Sequence, residues 1–390
     1  MQMFDFRNLK LQFKYGRSPT EVLLQTWAMD NVNAAALRDA LVEAGLIRAA
    51  NVVKTLLGEE EIVNQPIEDM PGDIQRFPYE TLELSTGGFN PTPFREGGNL
   101  IGAGGYGRVF IGEGSSGKIA VKRLDKNNQL SGDDRQRHAS ELTQQFKKEI
   151  EILARFRHSN ILQLIGYSDD GPHYCIVTMY MKNGSLEDRL ACLDDTAPLT
   201  VTQRIDIAVD TIRAINYLHS YEEEPVIHRD VKTANVLLDD DFTAKLADCA
   251  LARLGPTNQN HSVTYTGTII GTTVYMPLEY KQDGTISTKI DSYSYGVVLL
   301  EILTGLPSYD EEREDKGLPE HISEEVDKPD DILSFLDRSA TDWPDGVAVA
   351  IYNLAKSCLD FRKRRPEISK ICSEMEKYKA ACAADSHQTS

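Results

Sequence analysis

Apolar residues along this chain follow three successive patterns. Between Ser18 and about Leu57 they recur at helical spacing. SPTEVLLQTW offers Ser18 as a cap, Pro19 at the first helical position and Glu21 three residues after the cap. NAAALRDALVEAG continues with Leu37, Leu41 and Val42 and stops at Gly45. This predicts a helix bundle or part of one over residues 1–57. Residues 58–76, GEEEIVNQPIEDMPGDIQR, are acidic, contain two prolines and hold no period, which predicts a linker. From Phe77 the runs GRVFIG, KIAVKRL and YCIVTMY alternate as strands do, around a single helical stretch, ELTQQFKKEIEILARF. Helical periods then dominate residues 200–380. The expected class is α+β, a β-rich lobe followed by a helical one. The acidic stretch over 310–331 reads as solvated surface, with a binding site as the alternative, and AACAADSHQTS reads as a disordered tail over 381–390.

Charge and cysteine usage narrow the function classes. A net charge of -18, from 60 acidic against 42 basic residues, repels a phosphate backbone, so nucleic acid is not an expected partner. Cys175, Cys192, Cys249, Cys358, Cys372 and Cys382 form no CxxC pair and no zinc-ligand spacing, which fits reduced thiols in the cytosol. The first residues hold no signal-peptide core. No run approaches the ~18 apolar residues of a membrane span, so no membrane insertion is expected and the location reads as cytoplasmic.

Several short motifs carry chemistry. IGAGGYGRVF, residues 101–110, places Gly102, Gly104 and Gly107 between strand formers, where backbone N–H groups can approach a polyphosphate; a plain β-turn is the alternative. In IAVKRL, Ala120 leaves room for a flat base and Lys122 reaches phosphate oxygens. Glu149, among Phe146, Ile150 and Leu153, offers that lysine a carboxylate. VIHRDVKTANVLLDD, residues 226–240, is the most specific signal. Asp230 accepts the proton of an attacking hydroxyl, Lys232 stabilises charge on a moving phosphoryl group, and Asn235 binds a metal ion. Asp248 follows after an apolar run as a second metal ligand. An amide and a carboxylate suit magnesium, a hard cation that prefers oxygen. Cys249 reads as a small buried residue, with a reactive thiol as the alternative.

On these motifs, residues 77–380 resemble a eukaryotic protein kinase domain. GAGGYG, MYMKNGSLEDRL and GVVLLEILTGLP are similar to the Pelle and interleukin-1-receptor-associated kinase family, nearest its fourth mammalian member or an arthropod tube-like kinase. The segment from Ser18 resembles the last helices of that family's death domain, so 1–57 is expected to be a partial death domain. The resemblance implies ATP and Mg2+ as cofactors, protein substrates, and death-domain adaptor partners where the N-terminus folds. It makes Lys122 and Glu149 an ion pair, Asp230 the catalytic base, Lys232 the catalytic-loop lysine, and Asn235 and Asp248 the metal ligands. Ile101, Gly102, Gly104, Gly107, Val109, Ala120 and Leu237 become nucleotide contacts. Met179, Tyr180 and Met181 become the hinge, with Thr178 as gatekeeper where close members carry tyrosine. Thr272 is matched to the threonine that orients Asp230 and Lys232, which points to serine/threonine specificity. Asp291 braces the catalytic loop, and Arg365 pairs with Glu279.

Two departures from the family pattern set the open question. Pro277, Leu278 and Glu279 stand where the family has Ala-Pro-Glu, and Cys249 with Ala250 replaces Phe-Gly after the metal-binding aspartate. Loss of the phenylalanine loosens an apolar column matching His228, Leu153 and Leu164, and alanine for glycine disfavours large flips of the Asp248 backbone. The expected function is a serine/threonine kinase in Toll/interleukin-1-receptor-type innate immune signalling. The alternative is a nucleotide-binding pseudokinase scaffold in a death-domain assembly. Ser262, Thr264, Thr266 and Thr268, in a hydroxyl-rich stretch near Arg229, are the expected activation-loop phosphosites; a plain loop is the alternative.

Overall fold

A computed structural model describes residues 74–104, 107–115, 117–124, 133–221, 225–254, 264–265 and 272–388. The helices expected over 18–57, and the linker up to residue 73, lie outside these residues. The chain divides into two compact units: Met1–Ser115, Val121–Ala139 and Gly166–Ile176 form one, and Ser116–Ala120, Ser140–Ile165 and Val177–Ser390 the other.

The strand-rich part is built from β1 (Gln75–Arg76), α1 (Tyr79–Ser85), β2 (Leu100–Gly104), β3 (Gly107–Gly114), β4 (Gly117–Leu124), α2 (Asp133–Arg155), β5 (Leu164–Ser168) and β6 (Tyr174–Met179). Its six strands run in the order β1-β5-β6-β4-β3-β2. In the first unit Phe110 is fully buried and meets Phe89 edge-on at 5.3 Å, while the Arg123 guanidinium lies 4.9 Å and 5.3 Å from these two rings. An arginine stem and head used this way cover aromatic faces that an edge sheet otherwise leaves wet.

The second unit continues with α3 (Leu186–Leu190), α4 (Val201–His219), β7 (Val226–Ile227), β8 (Val236–Leu238), β9 (Ala244–Leu246), β10 (Arg253–Leu254), β11 (Thr264–Tyr265), α5 (Leu278–Asp283), β12 (Thr285–Ile286), α6 (Lys289–Thr304), α7 (Leu318–Glu325), α8 (Asp345–Leu359) and α9 (Ile368–Gln388). Helix α6 is buried at every residue from Ile290 to Thr304, as its apolar composition on all sides requires. Gly296 lets α8 come close: a Cβ there would stand 2.8 Å from that of Cys358. Arg204, on α4 and fully buried, donates to the Leu199 and Ile302 carbonyls and to the Asp337 carboxylate, joining three segments at one guanidinium. Among the described residues no helix is long and apolar enough to cross a membrane.

Two boundaries differ from those the sequence suggests. The linker ends before residue 76, because Gln75 and Arg76 pair in parallel with Gly166 and Tyr167, and Arg76 Nε donates to Asp169 Oδ1 at 2.6 Å. This pairing is made by backbone at a sheet edge, and two polar residues show no alternation to reveal it. The tail is not disordered over 381–388: α9 runs on to Gln388 and buries the Cys382 side chain. Alanine, the strongest helix former, fills this stretch, and that propensity outweighs its lack of large apolar residues. Helix α9 is tied to α4 by Arg213–Glu376 at 2.6 Å and Lys379–Asp206 at 2.7 Å. Those pairs remain in a chain ending at Ala380, but the burial of Cys382 does not, so such a chain is expected to lose roughly 1–3 kcal/mol of stability in denaturant titration, whereas a frayed tail predicts no change.

Candidate active site

The segment between β7 and β8 carries the residues expected to be catalytic, and its shape is imposed by Asp291 on α6. Both Asp291 oxygens accept backbone N–H groups, from His228 at 2.8 Å and Arg229 at 2.9 Å, and His219 Nε2 lies 2.7 Å away. Burial alone pushes the Asp291 carboxyl up; the His219 hydrogen bond, the charges of His219 and His228 and the Arg229 N–H outweigh it and hold the group below the usual carboxylate range. Arg229 is left in the left-handed region, φ 69°, a strain that the surrounding bonds sustain. Asp230 follows with its carboxylate fully engaged. Oδ1 accepts from Thr272 N at 3.3 Å and Oγ1 at 3.4 Å, and Oδ2 accepts from Asn235 Nδ2 at 2.9 Å, with Lys232 Nζ at 3.1 Å. Lys232 Nζ also donates to Thr272 Oγ1 at 2.9 Å. One carboxylate, one ammonium and one hydroxyl thus fix one another.

Asn235 and Asp248, the expected metal ligands, are linked through the backbone beside this group. Asn235 commits its amide nitrogen to Asp230, at 2.8 Å from the carbonyl and 2.9 Å from Oδ2, which turns its own Oδ1 the other way. Its backbone oxygen accepts from Ala247 N at 2.8 Å, and this places Asp248 one residue along. An amide oxygen and a carboxylate fit Mg2+ and leave other positions for phosphate oxygens and water. Asp248 has φ 59° and ψ 60°, and Cys249–Leu251 then form a 3-10 turn. Cys249 is 1% exposed, the small buried residue that was expected. Ala250 is the middle residue of that turn, a conformation that makes no demand for glycine.

The substrate-loop residues, 272–280, are anchored at several points. Tyr275 Oη donates to Glu301 Oε2 at 2.7 Å, and Thr233 Oγ1 donates to Glu301 Oε1 at 3.1 Å. Burial pushes the Glu301 carboxyl up to about 8 despite these two bonds. Arg365 grips Glu279 with two nitrogens, at 2.5 Å and 3.2 Å, so the glutamate keeps its pairing although Pro277 now precedes α5 as its N-cap and Leu278 is exposed. Arg229 donates from Nη1 to the Leu251 carbonyl at 3.2 Å and from Nη2 to Tyr280 Oη at 2.5 Å, while its buried Nε has no acceptor. Lys148, on α2, is harder to protonate than an ordinary lysine, through burial first and then the charges of Arg229 and Arg253. Arg229 and Arg253 thus lie near enough to Lys148 for their charges to act on it.

The nucleotide-side residues are distributed over both units. In the first, the β2–β3 hairpin pairs Gly102 with Val109 and Gly104 with Gly107, and Ile101 is exposed. Gly107 has φ 137°, and a Cβ on it would sit 2.3 Å from the Arg123 carbonyl oxygen. A Cβ on Gly102 meets only ordinary contacts, and one on Gly104 meets nothing within 4 Å. Protein packing explains glycine at 107 alone, whereas a phosphate lying on the hairpin explains all three. In the second unit Leu162, Met181 and Ala247 form an apolar cluster with Leu237 against it, and Thr178 and Ala120 are buried. Tyr180 carries Lys118 6.0 Å from its ring, and Met179 is exposed. Lys122 lies on β4 in the first unit and the buried Glu149 on α2 in the second. Thr264 lies in β11, paired with Ile286, while Ser262, Thr266 and Thr268 fall outside the described residues.

Sequence reasoning missed Thr233, Tyr275, Glu301, Tyr280, Lys148 and Arg253. The available signal was a glutamate inside the apolar run GVVLLEILT, which an interior helix tolerates only with partners.

The protein kinase domain family matches residues 95–375. The Pelle-like serine/threonine-protein kinase pik-1 of Caenorhabditis elegans is 32% identical over 374 residues, covering 82% of this chain and 76% of that protein. This chain belongs to the protein kinase family, in its Pelle and interleukin-1-receptor-associated branch. Interleukin-1 receptor-associated kinase 3 of Mus musculus is 30% identical over 409 residues, with 95% of this chain and 66% of that protein aligned. The serine/threonine-protein kinase-like protein CCR4 of Arabidopsis thaliana is 34% identical over 319 residues, and the kinase chain spans 42% of its length.

Three outcomes follow for this kinase. Gly107→Ala is expected to cost about 2 kcal/mol or more in denaturant titration, because it combines a positive φ with a backbone clash. Gly104→Ala is expected to change stability by less than about 0.5 kcal/mol and to weaken ATP in calorimetric titration. Glu301 sets a pH dependence. Its folded pKa lies above the unfolded value of 4.5, so the folded state keeps a proton that the unfolded state loses, and stability falls as pH rises from 4.5 to about 8. Melting temperatures measured between pH 5 and 9 should decline more steeply for the native chain than for Glu301→Gln; parallel curves would refute this.

Proposed function

We propose that this kinase transfers the γ-phosphoryl group of ATP to serine or threonine hydroxyls of protein substrates, and that it does so in the cytoplasm in Toll/interleukin-1-receptor-type innate immune signalling. The observation that carries the reading is the set centred on Asp230, which meets Lys232, Asn235 and Thr272, with Lys232 also donating to Thr272. The chemistry of Gly102 and Gly104, with the oxygen donors Asn235 and Asp248, supports ATP and Mg2+ as the cofactors. Bound Mg–ATP supplies the phosphoryl group and the neutralisation of its charge.

In this reading Asp230 takes the proton of the attacking hydroxyl. The hydroxyl oxygen bonds to the γ-phosphorus, the bond to the β–γ bridging oxygen breaks, and ADP leaves with that electron pair. Lys232 lies against Asp230 and Thr272, where its charge faces the oxygen at which bond-making occurs. The tie between Lys232 and Thr272 supports serine/threonine over tyrosine specificity. Lys148, Arg229 and Arg253 support regulation by a phosphate on Ser262, Thr264, Thr266 or Thr268, since Arg229 Nε is buried and lacks an acceptor. Death-domain adaptors are the partners this reading gives the N-terminal segment where it folds as the family's does. The name of the interleukin-1 receptor-associated relative supports the receptor context.

The experiment is magnesium-dependent autophosphorylation of the full chain beside Asp248→Asn, followed by phosphopeptide mapping. Label in residues 262–268 that disappears in Asp248→Asn, with a drop of about tenfold or more in Thr266→Ala, is the expected result. Equal background signal from both chains sinks the enzyme and leaves a nucleotide-binding scaffold.

A further inference from the structure

Arg229 sits next to the catalytic Asp230, yet its side chain belongs to a different set of contacts. Its backbone N–H is spent on Asp291, Nη1 on the Leu251 carbonyl and Nη2 on Tyr280 Oη at 2.5 Å. Nε–H, by contrast, is buried and without an acceptor. A guanidinium is planar, so fixing two of its nitrogens fixes the direction in which the third N–H points. Leu251 contributes a carbonyl, which any residue there would supply. Tyr280 contributes a side chain, and it is a costly one to place: the phenol is fully buried, against Ile227, Met276, Ile286 and Ile290. A phenylalanine would fill that cluster as well. The hydroxyl therefore has a purpose other than packing, and the Arg229 guanidinium, 5.6 Å from the ring centroid, is the group it serves.

We propose that Tyr280 is a positioning residue for phosphate sensing: its hydroxyl holds the Arg229 guanidinium so that Nε–H is presented to a phosphorylated activation-segment residue. Tyr280 lies one residue after Glu279, whose carboxylate is clamped by Arg365, so the phenol is carried on a fixed support. Arg253 is brought in by strand pairing, being opposite Ile227 across β7 and β10. The phosphate then bears on the peptide unit that leads into Asp230, whose geometry Arg229 shares. This proposal rests on the kinase reading above and extends it to regulation.

The test uses the full chain, in phosphorylated and phosphatase-treated forms, with Tyr280→Phe and Tyr280→Ala. In Tyr280→Phe the ratio of kcat between the two forms should fall about tenfold, the usual weight of a hydrogen bond to a charged group, with the KM for ATP unchanged. Were Tyr280 only a packing residue, Tyr280→Phe would keep the native ratio, and Tyr280→Ala would lower the melting temperature and both activities alike. A second readout needs no turnover: the Arg229 Nε–H resonance of arginine-labelled protein, titrated with inorganic phosphate. It should shift in the native chain and lose that response in Tyr280→Phe. An identical response in the two chains overturns the proposal. Absent turnover in every form, together with a resonance that depends on Tyr280, counts against the kinase reading and upholds the positioning role.

Discussion

The buried carboxylate of Asp291 is the constraint on which the active site depends. A loop that must present Asp230, Lys232 and Asn235 within a few residues cannot follow a regular backbone, and its N–H groups at His228 and Arg229 have no ladder to join. Asp291 accepts both, from the first turn of a helix whose remaining residues are buried. An unmet buried N–H costs about 1–3 kcal/mol, so the pairing of two of them on one charged acceptor holds the loop in a strained but single conformation. His219 brings its ring to the same carboxylate, which keeps the charge from standing alone in the interior.

From that fixed loop, the substrate loop is held by bonds of different kinds. Thr272 meets Asp230 and Lys232 directly. Tyr275 meets Thr233 through Glu301, a carboxyl kept protonated by burial to a pH where ordinary glutamates are ionised. Tyr280 meets Arg229, and Glu279 meets Arg365. These contacts alternate along residues 272–280, so the segment is pinned on successive turns, and no single bond sets its path. Such a network is stable only when each member has its partner, which is why a change at one buried polar side chain is felt along the whole loop.

The catalytic loop was legible in the sequence because its chemistry requires several polar residue types at short, fixed spacing, and HRDVKTAN has few other uses. Helix α6 was legible as core from its apolar run, and Asp291 at its start through resemblance. What sequence reading could not reach were side chains that pair across long separations. Tyr280 looks like any core aromatic until Arg229, 51 residues earlier, is found on its hydroxyl. Glu301 stands out as a polar intruder, but nothing in the chain names Tyr275 and Thr233 as its partners. The boundaries failed for opposite reasons: β1 is polar and paired only by backbone, and the end of α9 is small-residue helix that looks like nothing in particular.

The Asp-Cys-Ala sequence is best understood by asking which side of Asp248 sets its position. Upstream, β9 is tied to Asn160 and Leu162 through both backbone groups of Leu246. Ala247 then gives its N–H to the Asn235 carbonyl at 2.8 Å, and its own carbonyl lies 3.1 Å from His228 Nε2. Both backbone polar atoms of Ala247, the residue before Asp248, are thus held by the catalytic loop. Downstream, Cys249 and Ala250 begin a 3-10 turn whose dihedrals suit any residue, and the positive φ of this joint is borne by the aspartate. An aspartate tolerates that region better than most side chains do. The two substituted residues therefore act on the path of the chain after Asp248, while Asp248 itself is placed from upstream, through the backbone bonds of Leu246 and Ala247.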